Sequence, residues 1–308
     1  MAGFAPEVIS LLRSLGAGGL LIGTGKVYWV DSIRGDDGNV GTRPDEAFET
    51  IIEALEHCVD DNNDYIMVIE DYDEGETILV TKSRVHIIGL GNSLRPNSNQ
   101  PFVALTASGD FPVFTINEPA GHVEIAGFAI GGGPNHAGIE NAIGAVQGAH
   151  IHDCAFGHSF SGGTPQDGIW IRVNATNIRV ENCSFYGTPT GKGLLTRDGY
   201  RYDAGTPLNG TLKDNQFLGV PVKGINILAT NNDGGLTIQD NIFHCPDVQG
   251  AAITLGATVF GCLVVGNKAV YGNGAVAMVE NPYLDNTVGA PYNAWIANYK
   301  GNALINPA

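Results

Sequence analysis

Three aspartates in the middle of the chain are the residues whose type and spacing best suit acid–base chemistry. Asp167, Asp198 and Asp203 lie in or beside segments that the sequence predicts to be loops of neighbouring repeats, so we expect them on one side of the molecule. Two carboxylates at a suitable separation can hydrolyse a glycosidic bond, one as general acid and the other as base or nucleophile. Acids in surface loops more often form solvated ion pairs of small energetic value. Both interpretations stay open, and ion pairing is preferred.

Basic and aromatic side chains accompany these acids. Arg172, Arg197 and Tyr200 fall in the same stretch, and Trp170 lies on the predicted strand before it. Together with the aspartates they could line a carbohydrate-facing cleft or contact another subunit. The outward side of this strand position is predicted to form an apolar stripe through successive repeats, which would indicate a protein interface. Alternatively, neighbouring loops cover the stripe. Its predicted members are Trp170, Leu195, Asn226, Thr254 and Ala277.

The sequence predicts no metal site and no cofactor. The histidines at 136, 150, 152 and 158 are scattered over predicted loops and strands, and we find no metal-ligand spacing among them. Asp36, Asp37 and Asn39 are spaced like a loose calcium loop, but the glycine and the distal glutamate of an EF-hand are missing, so a turn is preferred. The five cysteines form no CxxC pair, and we expect them to be buried free thiols.

The charge of the chain limits its partners. It carries 32 acidic and 16 basic residues, a net charge of −16. Nucleic-acid binding requires a basic surface, so we expect no nucleic-acid partner. The first residues lack a basic segment followed by an uninterrupted apolar run, and no stretch reaches the length of a membrane span. We therefore expect no signal peptide, no membrane association and synthesis in the cytoplasm.

A recurring phrase determines the predicted architecture. Each copy alternates apolar and polar residues, then has Asp or Asn, then Cys or Asn, and Phe two residues later; the clearest copies are 149–156, 178–185, 210–217 and 236–243. Alternation predicts a strand with one buried face, and the Asp/Asn position predicts a tight turn. Weaker copies extend the series to about eight coils, and no helical periodicity occurs within them. The sequence thus predicts an all-β parallel β-helix with stacked columns of Phe and of Cys or Asn inside it.

The first third of the chain departs from the repeat. Residues 1–25 are predicted to form a short helix and a Gly-rich tether, which either folds back as a cap or anchors the protein to another one. Residues 26–83 are predicted to form a cap region with a helix over 44–59, which would cover the open β-edge before the coils at 84–308. The apolar face of the first helix, the candidate anchor, consists of Val8, Ile9, Leu11, Leu12 and Leu15.

The segment at 28–55, with Tyr28-Trp29-Val30-Asp31 and the loop at 35–42, resembles the opening of right-handed parallel β-helix proteins of the pectin-lyase-like superfamily. The resemblance continues through the repeats. It implies a single-stranded right-handed β-helix of about eight or more coils with an N-terminal capping helix. Related proteins include polysaccharide lyases, glycoside hydrolases and bacteriophage tailspikes, fibres and capsid decorations. The short helix and Gly-rich tether are most similar to the phage group, in which such rods often pack as homotrimers.

The enzyme signatures of that superfamily are incomplete in this chain. Gly157-His158-Ser159 and Asn231-Asn232-Asp233 do not match the polygalacturonase-like pattern, and 169–172 keeps only the Trp-Ile of a pectate-lyase-like strand. We therefore expect a non-enzymatic virion structural protein, anchored by its N-terminus to other virion proteins and able to contact host polysaccharide. The alternatives are a polysaccharide lyase or glycoside hydrolase of the same fold, and a carbohydrate-binding adhesin module.

Overall fold

The computed structural model describes residues 25–91, 102–158, 162–187, 195–203, 207–219, 222–228, 235–245, 251–271, 282–287, 293–300 and 303–305. The candidate anchor, Val8 to Leu15, lies outside these residues, as does Ala277 of the predicted stripe. Within the described part, no helix is both long and apolar enough to cross a membrane.

Short strands are the main regular structure of the described residues, as predicted. In chain order they are β1 Val27–Val30, β2 Asp64–Val68, β3 Tyr72–Glu74, β4 Ile78–Val80, β5 Val85–Gly89, β6 Val103–Ala107, β7 Phe114–Ile116, β8 Glu124–Ala126, β9 Phe128–Ile130, β10 Ala137–Asn141, β11 Val146–Gln147, β12 His150–His152, β13 Ala155–Phe156, β14 Asp167–Ile171, β15 Ala175–Thr176, β16 Arg179–Glu181, β17 Ser184–Tyr186, β18 Asp198–Tyr202, β19 Pro207–Leu208, β20 Thr211–Lys213, β21 Gln216–Leu218, β22 Lys223–Ile227, β23 Thr237–Gln239, β24 Ile242–Cys245, β25 Ala251–Leu255, β26 Leu263–Val265, β27 Lys268–Tyr271, β28 Tyr283–Asp285, β29 Ala294–Ile296, β30 Tyr299–Lys300 and β31 Ala303–Leu304.

These strands form three long sheets that run the length of the molecule. The first sheet has the order β1-β2-β5-β8-β12-β16-β20-β23-β26-β29, the second β28-β25-β22-β18-β14-β10-β7-β4, and the third β3-β6-β9-β13-β17-β21-β24-β27-β30-β31. A small fourth sheet joins β11, β15 and β19. Successive coils pair in parallel, and one coil contributes a strand to each long sheet. The predicted parallel β-helix is confirmed.

The Asp/Asn position of the repeat makes the turn between the first and third sheets. Asp153, Asn182, Asp214 and Asp240 have φ values of 51°, 53°, 54° and 53°. Asn and Asp tolerate this left-handed conformation better than other non-glycine residues, which explains their recurrence. In each of these coils, the Phe that lies three residues after the Asp or Asn points into the core.

The Phe column forms a continuous stack inside the β-helix. The rings of Phe156 and Phe185 have centroids 4.9 Å apart, those of Phe185 and Phe217 4.6 Å, and those of Phe217 and Phe243 4.7 Å, all nearly parallel. The rings pack against a glycine column in the second sheet. A β-carbon added to Gly199 would lie 2.5 Å from Phe217. The tight fit requires glycine there.

The Cys/Asn column forms a hydrogen-bonded ladder that is longer than predicted. Each Asn donates its amide to a backbone carbonyl of the preceding coil and accepts, through Oδ1, a backbone N–H from the preceding ladder residue. The members are Cys154, Cys183, Asn215, Asn241, Asn267 and Asn298. The cysteines at 58, 154, 183 and 262 are buried free thiols, as predicted.

A short helix closes the N-terminal end, but it begins later than predicted. A 3₁₀ turn spans Pro44–Glu46, and helix α1 spans Ile51–His57 with Thr50 as its N-cap. Phe48 is not helical; it forms a parallel bridge with Val30. The prediction of one helix over 44–59 is therefore wrong, because Asp37 accepts the backbone N–H groups of Glu49 and Thr50 at 2.8 Å and holds this segment extended.

Helix α1 packs on β1, β2 and β4, the first strands of two sheets, and so covers the end of the core. The ammonium group of Lys82 donates to the carbonyls of Leu55, Glu56 and Cys58 at 2.6–2.8 Å, which satisfies the end of the helix. Asp36 accepts the backbone N–H of Gly38, and Asn39 donates its amide to the carbonyl of Ala47, as expected for the predicted turn.

Candidate functional site

The outward face of the second sheet carries a row of polar and charged side chains, not the predicted apolar stripe. Trp170 on β14 pairs with Glu140 on β10 and with Arg201 on β18. The row continues through Asn226 on β22 and Thr254 on β25.

Leu195 does not belong to this row. It is fully buried and forms an isolated bridge with Gly187. The predicted stripe is wrong because the segment 196–203, interpreted as a loop, contains strand β18, which places Arg201 beside Trp170.

Three guanidinium groups surround the indole of Trp170. Those of Arg172, Arg197 and Arg201 lie 4.4 Å, 5.0 Å and 4.8 Å from the ring centroid. The negative face of an indole attracts a cation at these distances, by about 0.5–1 kcal/mol for an exposed pair. We call Glu140, Trp170, Arg172, Arg197, Arg201 and Asp203 the tryptophan–arginine cluster.

Each arginine of the cluster also pairs with a carboxylate. Arg172 lies 3.3 Å from Glu140, Arg197 makes a two-pronged contact with Asp167, and Arg201 pairs with Asp203. Asp203 also accepts the indole N–H of Trp170 at 2.8 Å. The sequence analysis grouped Arg172, Arg197, Asp167 and Asp203, and the structure brings these four together in ion pairs.

Asp167 and Asp198 lie beneath the cluster, in register on adjacent strands, and are 0% and 1% exposed. The backbone N–H of Asp198 donates to Asp167 Oδ1 at 2.9 Å, and Asn226 Nδ2 donates to Asp198 Oδ2 at 2.8 Å. Burial raises the pKa of Asp198 to about 6, against the hydrogen bond from Asn226 that lowers it. Burial also raises the pKa of Asp167, and the contact with Arg197 opposes this. Their burial closes both carboxyl groups to a polymeric substrate in this arrangement.

Tyr200 is not a surface residue, so its predicted role in binding is corrected. It lies in the inward row of the second sheet between Ile169 and Ile225 and is 2% exposed. Burial raises the pKa of its hydroxyl strongly. Its side chain packs in the core directly below Arg201 and Trp170.

Three buried polar atoms in or beside the row through Trp170 have no hydrogen-bond partner among the described residues: Asp198 Oδ1, Asn226 Oδ1 and Thr254 Oγ1. They belong to successive strands β18, β22 and β25. Buried polar groups are normally paired with protein or with ordered water, so this strip has unused hydrogen-bonding capacity.

The cluster includes two residues that the sequence analysis missed, Glu140 and Arg201. Both occupy the fourth place of a five-residue motif. The motif consists of any residue, then Gly, an inward-facing residue, an outward-facing residue and a second inward-facing residue. The motif is visible in the sequence as 137–141, 167–171, 198–202 and 223–227. Aligning on its glycine, which faces the Phe stack, would have placed both residues beside Trp170.

Replacing Asp198 by asparagine is expected to remove a pH-dependent part of the stability. Because the folded pKa of about 6 exceeds the unfolded value of about 3.9, the contribution of Asp198 is fully present below about pH 4 and is lost as the pH rises through about 6. The expected difference is on the order of 2 kcal/mol. Urea unfolding at several pH values between these limits measures it.

The exposed Asp45→Asn serves as the matched control and should follow the wild-type profile. If Asp198→Asn also runs parallel to the wild type across this pH range, Asp198 does not titrate with a raised pKa.

Comparison with known proteins places this site on a familiar fold. The family model described as "Right handed beta helix region" matches residues 120–288. No curated protein matches the sequence. Among solved structures, pectate lyase Pel9A is 13% identical with a TM-score of 0.53, over 94% of this chain and 83% of that chain.

Two further structures are similar at lower scores. ORF18 of Geobacillus virus E2 is 10% identical with a TM-score of 0.48, over 97% of this chain and 64% of its own. A GH136 lacto-N-biosidase from Eubacterium ramulus is 15% identical with a TM-score of 0.42, over 95% of this chain and 59% of its own. At such identities, the likeness to the pectate lyase shows a shared fold.

Proposed function

This chain belongs to the right-handed β-helix family, and from that premise we propose that it is a non-enzymatic rod that binds a neutral polysaccharide through the tryptophan–arginine cluster. Its proposed setting is a bacteriophage virion. The observation that carries the binding proposal is the set of partly exposed side chains around Trp170, which stand on strands β14 and β18 or on the residues directly next to them. A site built on strands keeps its geometry without the ligand, which lowers the entropic cost of binding.

The exposed atoms of the cluster suit the hydroxyl groups of a sugar. The side chain of Arg172 is 42% exposed, that of Arg197 25%, that of Asp203 21% and that of Arg201 18%. Guanidinium groups donate and carboxylates accept hydrogen bonds in fixed planar geometries. The partly exposed indole of Trp170 adds an apolar surface beside them.

The charge balance favours a neutral glycan over an acidic one. The three guanidinium groups are matched by the carboxylates of Glu140, Asp167 and Asp203, with Asp198 beneath them. An acidic polymer would have to displace these partners and would also meet the overall charge of −16.

The burial of Asp167 and Asp198 supports a binding function rather than catalysis. A glycosidase needs a general acid within hydrogen-bond reach of the glycosidic oxygen, and Asp167 and Asp198 are closed to solvent. One observation favours the alternative of a depolymerase: the pKa of about 6 at Asp198 would suit a general acid. A cleavage assay therefore belongs in the same experiment as the binding assay.

The virion setting is supported by the resemblance of the N-terminal helix and Gly-rich tether to those of phage β-helix proteins. The predicted homotrimer loses the support of an apolar stripe, because the row through Trp170 is polar. Trimer and N-terminal anchor stay predictions. Light scattering of the full chain tests the first, and incorporation of a chain lacking residues 1–25 into particles tests the second.

Binding of a panel of neutral polysaccharides by affinity electrophoresis tests the proposal. Trp170→Ala is expected to weaken binding about 10- to 100-fold, as for a central contact in a binding site. Arg172→Ala, at the most exposed arginine of the cluster, is expected to weaken it several-fold. Arg179→Ala is the matched control, because Arg179 is an exposed arginine of the first sheet.

Three results would contradict the proposal. Binding that survives both Trp170→Ala and Arg172→Ala would move the site elsewhere. Failure to bind any polysaccharide of the panel would contradict glycan binding as the function. Release of oligosaccharides, abolished by Asp198→Asn, would establish the depolymerase.

A further inference from the structure

A second cluster of polar side chains lies on the outward face of the first sheet, away from the tryptophan–arginine cluster. Three strands bring it together: β5, β8 and β12 pair in parallel, and their register places His86 beside Glu124 and Glu124 beside His150. His152 follows two residues after His150 on the same strand. None of these residues takes part in the proposed glycan site.

The sequence analysis found no metal-ligand spacing among the histidines, but the structure brings His150 and His152 together with Glu124. The two residues are separated by one position on strand β12, so they point to the same side of the sheet. Their rings lie 4.3 Å apart, with Ile151 between them pointing into the core. A strand is a rigid element, and it presents both imidazoles on the same face of the sheet.

We propose that Glu124, His150 and His152 bind a divalent transition-metal ion, with Zn²⁺ as the best chemical match. One ligand atom from each residue lies within 4.8 Å of the others. Ligand atoms around one tetrahedral zinc ion, with bonds of about 2.0–2.2 Å, lie about 3.4 Å apart. Small side-chain rotations therefore suffice to bring the three atoms onto one ion.

The donor set selects the metal. Two imidazoles and one carboxylate are the protein ligands of many zinc sites that keep a fourth position open. Imidazole is a poor ligand for Ca²⁺ or Mg²⁺, which prefer oxygen atoms. The carboxylate also brings a negative charge, so the site attracts a dication more strongly than two histidines alone would.

Neighbouring groups already orient the ligands as metal sites require. His152 Nδ1 lies 2.7 Å from Asp153 Oδ2, which directs His152 Nε2 towards Glu124 Oε1, also 2.7 Å away. Asp153 is in turn held by its left-handed turn conformation and by Asn182. A carboxylate that accepts the second ring N–H of a ligating histidine is the usual outer partner in such sites.

His86 orients the carboxylate of Glu124 in the same way. Its Nδ1 lies 2.5 Å from Glu124 Oε2, and its ring stacks on Tyr65 at 4.3 Å. Glu124 can thus present Oε1 to a metal while Oε2 stays hydrogen-bonded. On the other side, Glu181 Oε2 lies 3.3 Å from His150 Nε2 and is the nearest carboxylate that could fill the fourth position.

The competing explanation is a ladder of hydrogen-bonded His–Glu pairs without a metal. A metal replaces the proton that links His152 to Glu124, so the two explanations differ in what the protein binds. Isothermal titration of ZnCl₂ into the chelator-treated full chain separates them. We expect one zinc ion per chain, and with Co²⁺ the intense visible absorption of a tetrahedral site.

Variants assign the ion to these residues. His152→Ala is expected to weaken zinc binding at least 100-fold and to abolish the tetrahedral Co²⁺ spectrum. His86→Ala is expected to weaken it about 10-fold, as for an outer partner. His244→Ala, at a half-buried histidine of the third sheet, is the matched control and should bind like the wild type. Circular dichroism confirms that each variant is folded.

Two outcomes would overturn the proposal. A folded wild-type chain that takes up no zinc at millimolar concentration has only the hydrogen-bonded ladder. Zinc binding that His152→Ala leaves unchanged, with or without loss in His244→Ala, belongs to another site. The proposed glycan site uses none of the strands β5, β8 and β12, so these results are independent of the proposed function.

Discussion

Replacing Asn241 by leucine is expected to lower the free energy of unfolding by about 2–4 kcal/mol, because buried backbone groups lose their partners at about 1–3 kcal/mol each. Asn241 Oδ1 accepts the N–H of Asn215 at 3.0 Å, and Asn241 Nδ2 donates to the carbonyl of Leu212 at 2.9 Å. Leucine has the same number of side-chain heavy atoms and the same branching but replaces neither bond. Urea unfolding followed by circular dichroism measures the difference.

The neighbouring outward residue provides the control. Gln239 lies on strand β23, two residues before Asn241, and its amide donates to the exposed Asp240. Gln239→Ala should change the unfolding free energy by less than about 0.5 kcal/mol, as surface substitutions usually do. Equal effects of the two substitutions would mean that the Asn ladder adds nothing beyond ordinary packing.

Replacing Phe217 by alanine is expected to cost about 3–5 kcal/mol, the usual cost of removing a buried aromatic ring. Phe217 stacks on Phe185 at 4.6 Å and on Phe243 at 4.7 Å and is 2% exposed. Gly199 lies against one edge of the ring and has no side chain that could fill the space left behind. The cavity therefore stays largely open. The measurement is again the urea midpoint and slope.

Two further substitutions make this result interpretable. Phe217→Leu keeps much of the volume but loses the ring stacking, so it should cost less than Phe217→Ala. Leu79→Ala removes an apolar side chain that is 51% exposed and should have a small effect. A Phe217→Ala chain as stable as Leu79→Ala would show that the coils repack around the missing ring.

The fold could be predicted because a β-helix repeats its own constraints. The turn at Asp214, the ladder position at Asn215 and the stack position at Phe217 follow from the same backbone geometry in each coil. Each coil therefore needs similar residues at the same points. The helix at 51–57 was placed less well, because Asp37, distant in sequence, decides where the extended segment ends.

The sites were harder to predict, because their contacts join different coils. Glu124 meets His152, 28 residues later, only through the pairing of β8 with β12. The length of each coil varies with its loops, so spacing along the chain does not reveal such neighbours. The same variation led to Leu195 being aligned with Trp170, where the structure has Arg201. Asp203 pairs with Arg201, two residues before it, whereas Arg197 meets Asp167, 30 residues earlier, through the pairing of β14 with β18.

Among the described residues, the buried thiols give this rod its own reporters of local opening. Cys58 directly follows α1 as its C-cap residue. Cys154 and Cys183 lie in middle coils, and Cys262 lies in a later coil. Burial, with the nearby Asp64, raises the pKa of Cys58 to about 12, and burial raises that of Cys262 to about 12. A thiol of this kind reacts with a disulfide reagent only while its coil is open. The order in which the four are labelled will therefore show from which end the rod frays.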